Sequence, residues 1–148
     1  MKYAVHYNGD SKYICITNFN EKRSLPLFLK EHLDRGECLF YDDIPSELEL
    51  RWLSCYDIDF KALTVKTNHK RLIEHVIKRI RERRDEALKK LDTEQMKCSG
   101  DEQKLARLYE VKQRLRDLPD TINFDVVRTT NEASHVDPPI LTTYMYEI

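Results

Sequence analysis

Asp57-Ile58-Asp59 has the carboxylate spacing with which some transferases and nucleases hold a divalent cation. On a strand, alternation places both side chains on one face. The motif is short and common, and Asp42-Asp43 has no evident link to it, so the plainer reading is a pair of solvated carboxylates. The five histidines, His6, His32, His69, His75 and His135, include no pair four residues apart, the spacing that turns two imidazoles toward one zinc ion on a helix. Cys15, Cys38, Cys55 and Cys98 form no Cys-x-x-Cys pair. Gly9, Gly36 and Gly100 cannot build a glycine-rich phosphate loop, and no Gly-x-Ser-x-Gly elbow occurs. A Cys–His dyad is a matter of space rather than of spacing, and nothing in the order of residues supports one. No enzyme activity, cofactor or metal is expected.

The remaining chemistry is charge. The net charge is −1, so the whole chain carries no bulk attraction to nucleic acid or to a membrane surface. Between Glu31 and Asp59 nine acids face only Arg35 and Arg51, whereas between Lys70 and Lys90 nine bases face Glu74, Glu82, Asp85 and Glu86. Lys78-Arg79-Ile80-Arg81-Glu82-Arg83-Arg84 is the densest basic stretch; a helix of that kind can neutralise phosphates. It lacks aromatics for stacking on bases, and acids interrupt it. A solvated or acid-paired helix face is the better reading.

These residues must be held by local structure. Lys2–Tyr7 and Tyr13–Phe19 alternate and are rich in Tyr, Val and Ile, which predicts two strands, and Asn8-Gly9 between them predicts a hairpin turn. Leu25–Leu33 reads as a helix with Pro26 in its first turn and Gly36 past its end. Glu37–Tyr41 reads as a strand, Glu47–Cys55 as a short helix and Phe60–Lys66 as a further strand. From His69, with Thr67 or Asn68 as cap, Leu72, Ile73, Val76, Ile77, Ile80, Ala87, Leu88 and Leu91 make one helical stripe. Cys98-Ser99-Gly100-Asp101 interrupts it, and Ser99 or Asp101 caps a second helix that carries Leu105, Leu108, Val111, Leu115 and Leu118, with Pro119 as its stop. Asp120–Asp137 is polar, Pro138-Pro139 is stiff, and Ile140–Ile148 reads as a β-prone tail in need of a partner. The expected architecture is α+β: a small module over residues 1–66, a long antiparallel helical hairpin over 67–119 and an extended tail over 120–148.

Once the two helices are placed, residues 80–124 resemble the C-terminal region of bacteriophage tail assembly chaperones, the small proteins paired with tail fibres. That family has an Arg-rich helix, a short loop, and a second helix ending in Tyr-Arg-Gln-x-Leu-Arg-Asp-Leu-Pro. The corresponding residues are Arg83–Gln95 and then Val111-Lys112-Gln113-Arg114-Leu115-Arg116-Asp117-Leu118-Pro119, with Phe124 shortly after. Gln113 and Leu115–Pro119 carry the most specific part. The loop tryptophan of the family is missing, Thr93-Glu94 standing in its place, and its motif tyrosine is Val111.

The resemblance implies a chaperone that binds a tail fibre or other phage tail protein and assists its trimerisation or its attachment to the tail. The implied contacts are Gln113, Leu115, Arg116, Asp117, Leu118 and Pro119; Ile140, Leu141, Tyr144 and Tyr146 of the tail are added on the separate ground that an unpaired apolar strand needs cover. Self-association is a second use of the helix pair. The alternative is a small phage or host regulatory protein that binds nucleic acid or a nucleoprotein enzyme. The expected location is the host cytoplasm, because the N-terminus has no secretory signature and no run of apolar residues is long enough for a membrane span.

Overall fold

A computed structural model describes residues 2–8, 14–19, 25–46 and 48–148, so the expected Asn-Gly turn lies mostly outside the described residues. The chain is α+β, with a small sheet and one long helix. It divides into two compact units, Met1–Leu72 and Ile73–Ile148.

In the first unit, β1 (Lys2–Tyr7) runs between β2 (Ile14–Phe19) and β3 (Cys38–Tyr41), antiparallel to both. The register sets His6 opposite Cys15 and Cys38, and Ala4 opposite Thr17 and Phe40. Directly opposed residues share a face. One face therefore carries Ala4, His6, Cys15, Thr17, Cys38 and Phe40, and the other Val5, Tyr7, Ile14 and Leu39. Ala4 has no bulk above its Cβ, and the rings of Phe19 and Phe40 meet edge to face at 5.6 Å.

The helix α1 (Leu27–Asp34) lies over the His6 face, with the His32 ring 4.9 Å and the Phe28 ring 5.8 Å from His6. Gly36 ends it at φ +69°: Gly36 N–H donates to the Leu33 carbonyl and Glu37 N–H to that of His32, a Schellman turn leading straight into β3. The opposite face meets the ribbon of β4 (Tyr56–Asp59) and β5 (Thr64–Thr67). There the Tyr7 hydroxyl accepts from Ile58 N–H at 3.2 Å, and Phe60 stands edge-on to the Tyr7 ring.

Two expected elements of this unit differ. The helix expected over Glu47–Cys55 is a 3-10 helix over Leu50–Cys55, with Glu47 outside the described residues. Its buried residues, Trp52 and Cys55, are three apart, which is the repeat of a 3-10 turn. The single strand expected over Phe60–Lys66 is instead the second half of the β4–β5 ribbon. No Gly or Pro marks its turn; Asp59 Oδ1 accepts from the N–H groups of Lys61 and Ala62, and Leu63 adopts φ +55°.

The helix α2 (His69–Lys97) contains the boundary between the units. Asn68 Oδ1 accepts from Arg71 N–H at 3.1 Å, an N-cap at the third helical residue. Of the apolar stripe, Leu72, Val76, Ile80, Ala87 and Leu91 are buried, and Ile73, Ile77 and Leu88 are half-buried. Among the described residues no helix is long and apolar enough to cross a membrane.

In the second unit, Gly100 at φ +89° precedes Asp101, whose side chain caps α3 (Glu102–Thr121) by accepting from Lys104 N–H. Leu108, Val111, Leu115 and Leu118 are buried along it. Lys112, also buried, donates to Asp92 Oδ1 at 2.5 Å and to Gln95 Oε1, and Gln95 Nε2 donates to the Tyr109 hydroxyl. Pro119 is inside α3, not past its end: in the last turn it deletes one hydrogen bond near the point where the ladder ends anyway, and the helix stops after Thr121.

The extended tail expected over 120–148 is replaced by short helical turns. Thr129 caps α4 (Thr130–Ser134) by accepting from Glu132 N–H, and its hydroxyl donates to the Glu132 carboxylate. The β-prone Ile140–Ile148 segment forms α5 (Ile140–Thr143) and a 3-10 turn over Tyr144–Glu147. Pro138 and Pro139 start it rather than stiffen it: their carbonyls accept from the N–H groups of Leu141, Thr142 and Thr143. Ile140, Leu141 and Tyr144 are buried, a helical spacing that strand alternation would have split between two faces.

Candidate functional site

The residues singled out on α3 and in the tail fall into two groups. Leu115 and Leu118 are buried, and so are Ile140, Leu141 and Tyr144; Pro119 is half-buried. Gln113, Arg116, Asp117 and Tyr146 are exposed, Tyr146 to 89%. Gln113 Nε2 donates to Asp117 Oδ1 at 2.9 Å, one helical turn on. The 3-10 turn Tyr144–Glu147 packs on α3, and Glu147 pairs with Arg114 at 3.0 Å. The tail is thus no unpaired strand: it is helical, and its last turn lies against α3 of its own chain.

The basic stretch of α2 is occupied in a similar way. Arg79 Nη2 donates to the carbonyl of Ala133, in the last turn of α4, and to that of Val136, two residues past its end, at 3.1 and 3.0 Å. Arg83 pairs with Asp137, Arg84 with Asp85, and Lys78 with Glu82. Much of the charge that suggested a phosphate-binding helix is directed at the chain's own carbonyls and carboxylates.

Asp57 and Asp59 do share a face of β4, but each has a structural partner. Asp57 is in contact with the Arg71 guanidinium and accepts from Asn68 Nδ2, tying β4 to the first turn of α2, while Asp59 shapes the turn after β4. Among the described residues no group of three or more His, Cys, Asp or Glu is placed to hold a metal ion.

The sheet also assembles a cleft that spacing could not reveal. His6, Cys15, Thr17, Phe28, Glu31, His32 and Arg35 line a shallow hollow of about 600 Å³. His6 is 4% exposed. Its Nδ1 lies 2.7 Å from the Tyr7 carbonyl, an acceptor only, so Nδ1 carries the proton. Nε2 then accepts from the Thr17 hydroxyl at 2.9 Å. Both nitrogens of a neutral imidazole are thereby used, which leaves His6 without a lone pair for proton abstraction or metal binding. On β3, opposite His6, burial pushes the Cys38 thiol up to about 11, so it is not a thiolate near neutral pH.

Burial also holds the His6 pKa below its ordinary value of 6.5, with the neighbouring His32 acting in the same direction against the Tyr7 hydrogen bond. Burial and the charges of Arg79 and Lys78 lower His75 likewise. A depressed histidine stays neutral in the fold while the unfolded chain takes up a proton near 6.5. Stability is then fully present above that pH and declines as the pH falls below it. The melting temperature is expected to drop between about pH 8 and about pH 5, and His6→Gln to flatten part of that drop. A wild-type profile that rises toward acid would contradict neutral, desolvated imidazoles at His6 and His75.

In comparisons with known proteins, no family model, no curated protein and no solved structure matches this chain.

Proposed function

We propose that this chain works by binding another protein, as an assembly chaperone of the tail-fibre kind. The observation that carries the reading is the composition of α1. Its buried residues are Leu29 and His32, while Leu27 is 73%, Phe28 47% and Leu33 42% exposed. A helix that turns a histidine inward and leaves two leucines and a phenylalanine in solvent has more apolar surface than its own fold uses. Fibre chains are long and β-rich, and before they trimerise they expose apolar surface and unpaired strand edges. A partner that covers such surface lowers misassembly.

The resemblance of Gln113 and Leu115–Pro119 to the chaperone signature supports the same reading. In this view α2 and α3 form an antiparallel helical hairpin, a rigid arm on which Gln113, Arg116 and Asp117 face the client or a second copy of the chain. No catalysis, cofactor or membrane is involved, and the site of action is the host cytoplasm.

The test is co-expression with a trimeric, β-rich fibre protein encoded beside it. Co-elution of the two, with a raised yield of trimer, is the expected result. Failure to retain the fibre, together with retention on DNA at about 0.15 M salt, where phosphate contacts are already weakened, would replace the chaperone with the nucleic-acid-binding alternative.

A further inference from the structure

We propose that the outer edge of β5, with the apolar cleft beside it, is a docking site for an extended strand of the client. This rests on the protein-binding reading above and adds a contact to the α1 and α3 surfaces named there.

In an antiparallel pair, opposed residues alternate between bonding each other and pointing away. Ile58 N–H donates to the Tyr7 hydroxyl, so Ile58 points away from β5. Asn68 N–H donates to the Cys55 carbonyl across the same ribbon, which places odd-numbered residues of β4 in the bonded pairs. By the register, Asp57–Lys66 and Asp59–Thr64 are then bonded, and Val65 and Thr67 turn their N–H and C=O groups outward. Among the described residues no backbone group meets that edge, and β4–β5 is a two-stranded sheet. Tyr7 meets the β4 side, and among the described residues the β5 side is open.

The cleft lies where an added strand would put its side chains. Tyr41, Pro45, Leu48, Tyr56, Leu63, Thr64, Val65 and Thr67 enclose about 340 Å³. Tyr56 opposes Thr67 and Ile58 opposes Val65, so the cleft is on the face carrying these four residues. A strand hydrogen-bonded to Val65 and Thr67 would present every second side chain to that face. The walls are aromatic and aliphatic, which suits Leu, Ile, Val or Phe at the alternate positions. Leu63, which turns the ribbon at φ +55°, stands at the cleft wall with its side chain 69% exposed. An open edge fixes the occupant's backbone as extended, and the apolar cleft fixes its alternation, which is the strand-addition mode of peptide recognition.

The probe is a fluorescein-labelled peptide, Lys-Thr-Leu-Thr-Phe-Thr-Leu-Thr-Lys, with its ends blocked, titrated into the full chain. Amide exchange at Val65 and Thr67 is followed by NMR. Peptide binding should slow exchange at both amides. Val65→Pro removes one outward donor without touching the β4–β5 bonds and should weaken binding roughly tenfold or more. Leu63→Asn suits the positive φ of the turn, removes a cleft wall and should weaken binding as well, which keeps the test decisive if the proline variant misfolds. Unchanged exchange with saturating peptide overturns the proposal. So does protection that rises with protein concentration alone, because the edge would then belong to a second copy. A fibre retained equally by wild type and Val65→Pro removes this site but leaves the chaperone reading. Protection by the peptide without any fibre retention keeps the site and removes the fibre as client.

Discussion

Removal of residues 138–148 is expected to destabilise the Ile73–Ile148 unit severely, not merely to trim a client-binding tail. Ile140, Leu141 and Tyr144 are at most 8% exposed. Burial of each contributes about 1.5–3 kcal/mol, so the deletion removes on the order of 5 kcal/mol from a domain whose total stability is typically about 5–15. The Arg114–Glu147 pair adds little, since both side chains are well hydrated. Urea titration followed by far-UV circular dichroism should show a strongly lowered midpoint for the truncated chain. Point variants divide the effect. Tyr144→Ala should cost about 3 kcal/mol, and Tyr146→Ala, two residues on and 89% exposed, less than about half a kcal/mol. A truncated chain with the wild-type midpoint would mean that the tail does not pack on α3.

That expectation reverses the one drawn from sequence, and the reason is physical. Ile140-Leu141-Thr142-Thr143-Tyr144 is rich in β-branched and aromatic residues, and a short run of that kind has no decisive period. What decides its conformation is packing within the Ile73–Ile148 unit, where Ile140, Leu141 and Tyr144 are buried and the last turn meets α3. A local signal was nevertheless present nearby: Thr129-Thr130-Asn131-Glu132 has the Ser/Thr-x-x-Glu spacing of a capping box, and it opens α4. The long stripe of α2 was legible, and the caps were narrowed to Thr67 or Asn68 and to Ser99 or Asp101, because each depends on residues within a turn or two. The β4–β5 ribbon was not, because its turn uses Asp59 and a leucine at positive φ where Gly or Asn would have announced it. The His6–His32 contact needed both the sheet register and the return of α1 across it, which no spacing encodes. The buried Lys112 and the outward-facing edge of β5 are likewise visible only once partners are assigned.

The segment Gln113–Pro119 should separate folding from recognition residue by residue. Leu115 is fully buried, and Leu115→Ala is expected to cost about 2–5 kcal/mol, the loss of transfer energy plus the cavity left behind. Arg116 and Asp117 are exposed on the other side of the same turn, and alanine at either should change stability by less than about half a kcal/mol. The Gln113–Asp117 hydrogen bond accounts for a few tenths of that at most, about the worth of an i, i+4 pair. If the chain is a fibre chaperone that uses this surface, the Arg116→Ala/Asp117→Ala variant should lose fibre in a pull-down while melting like the wild type. Leu115→Ala should lose stability first and fibre only as a consequence, with binding recovered at lower temperature. Should the surface variant capture fibre normally, the likeness to the chaperone signature would reflect how α3 folds, and the client contact would have to lie elsewhere in the chain. Should Leu115→Ala prove as mild as the surface changes, α3 would not be packed through Leu115 at all.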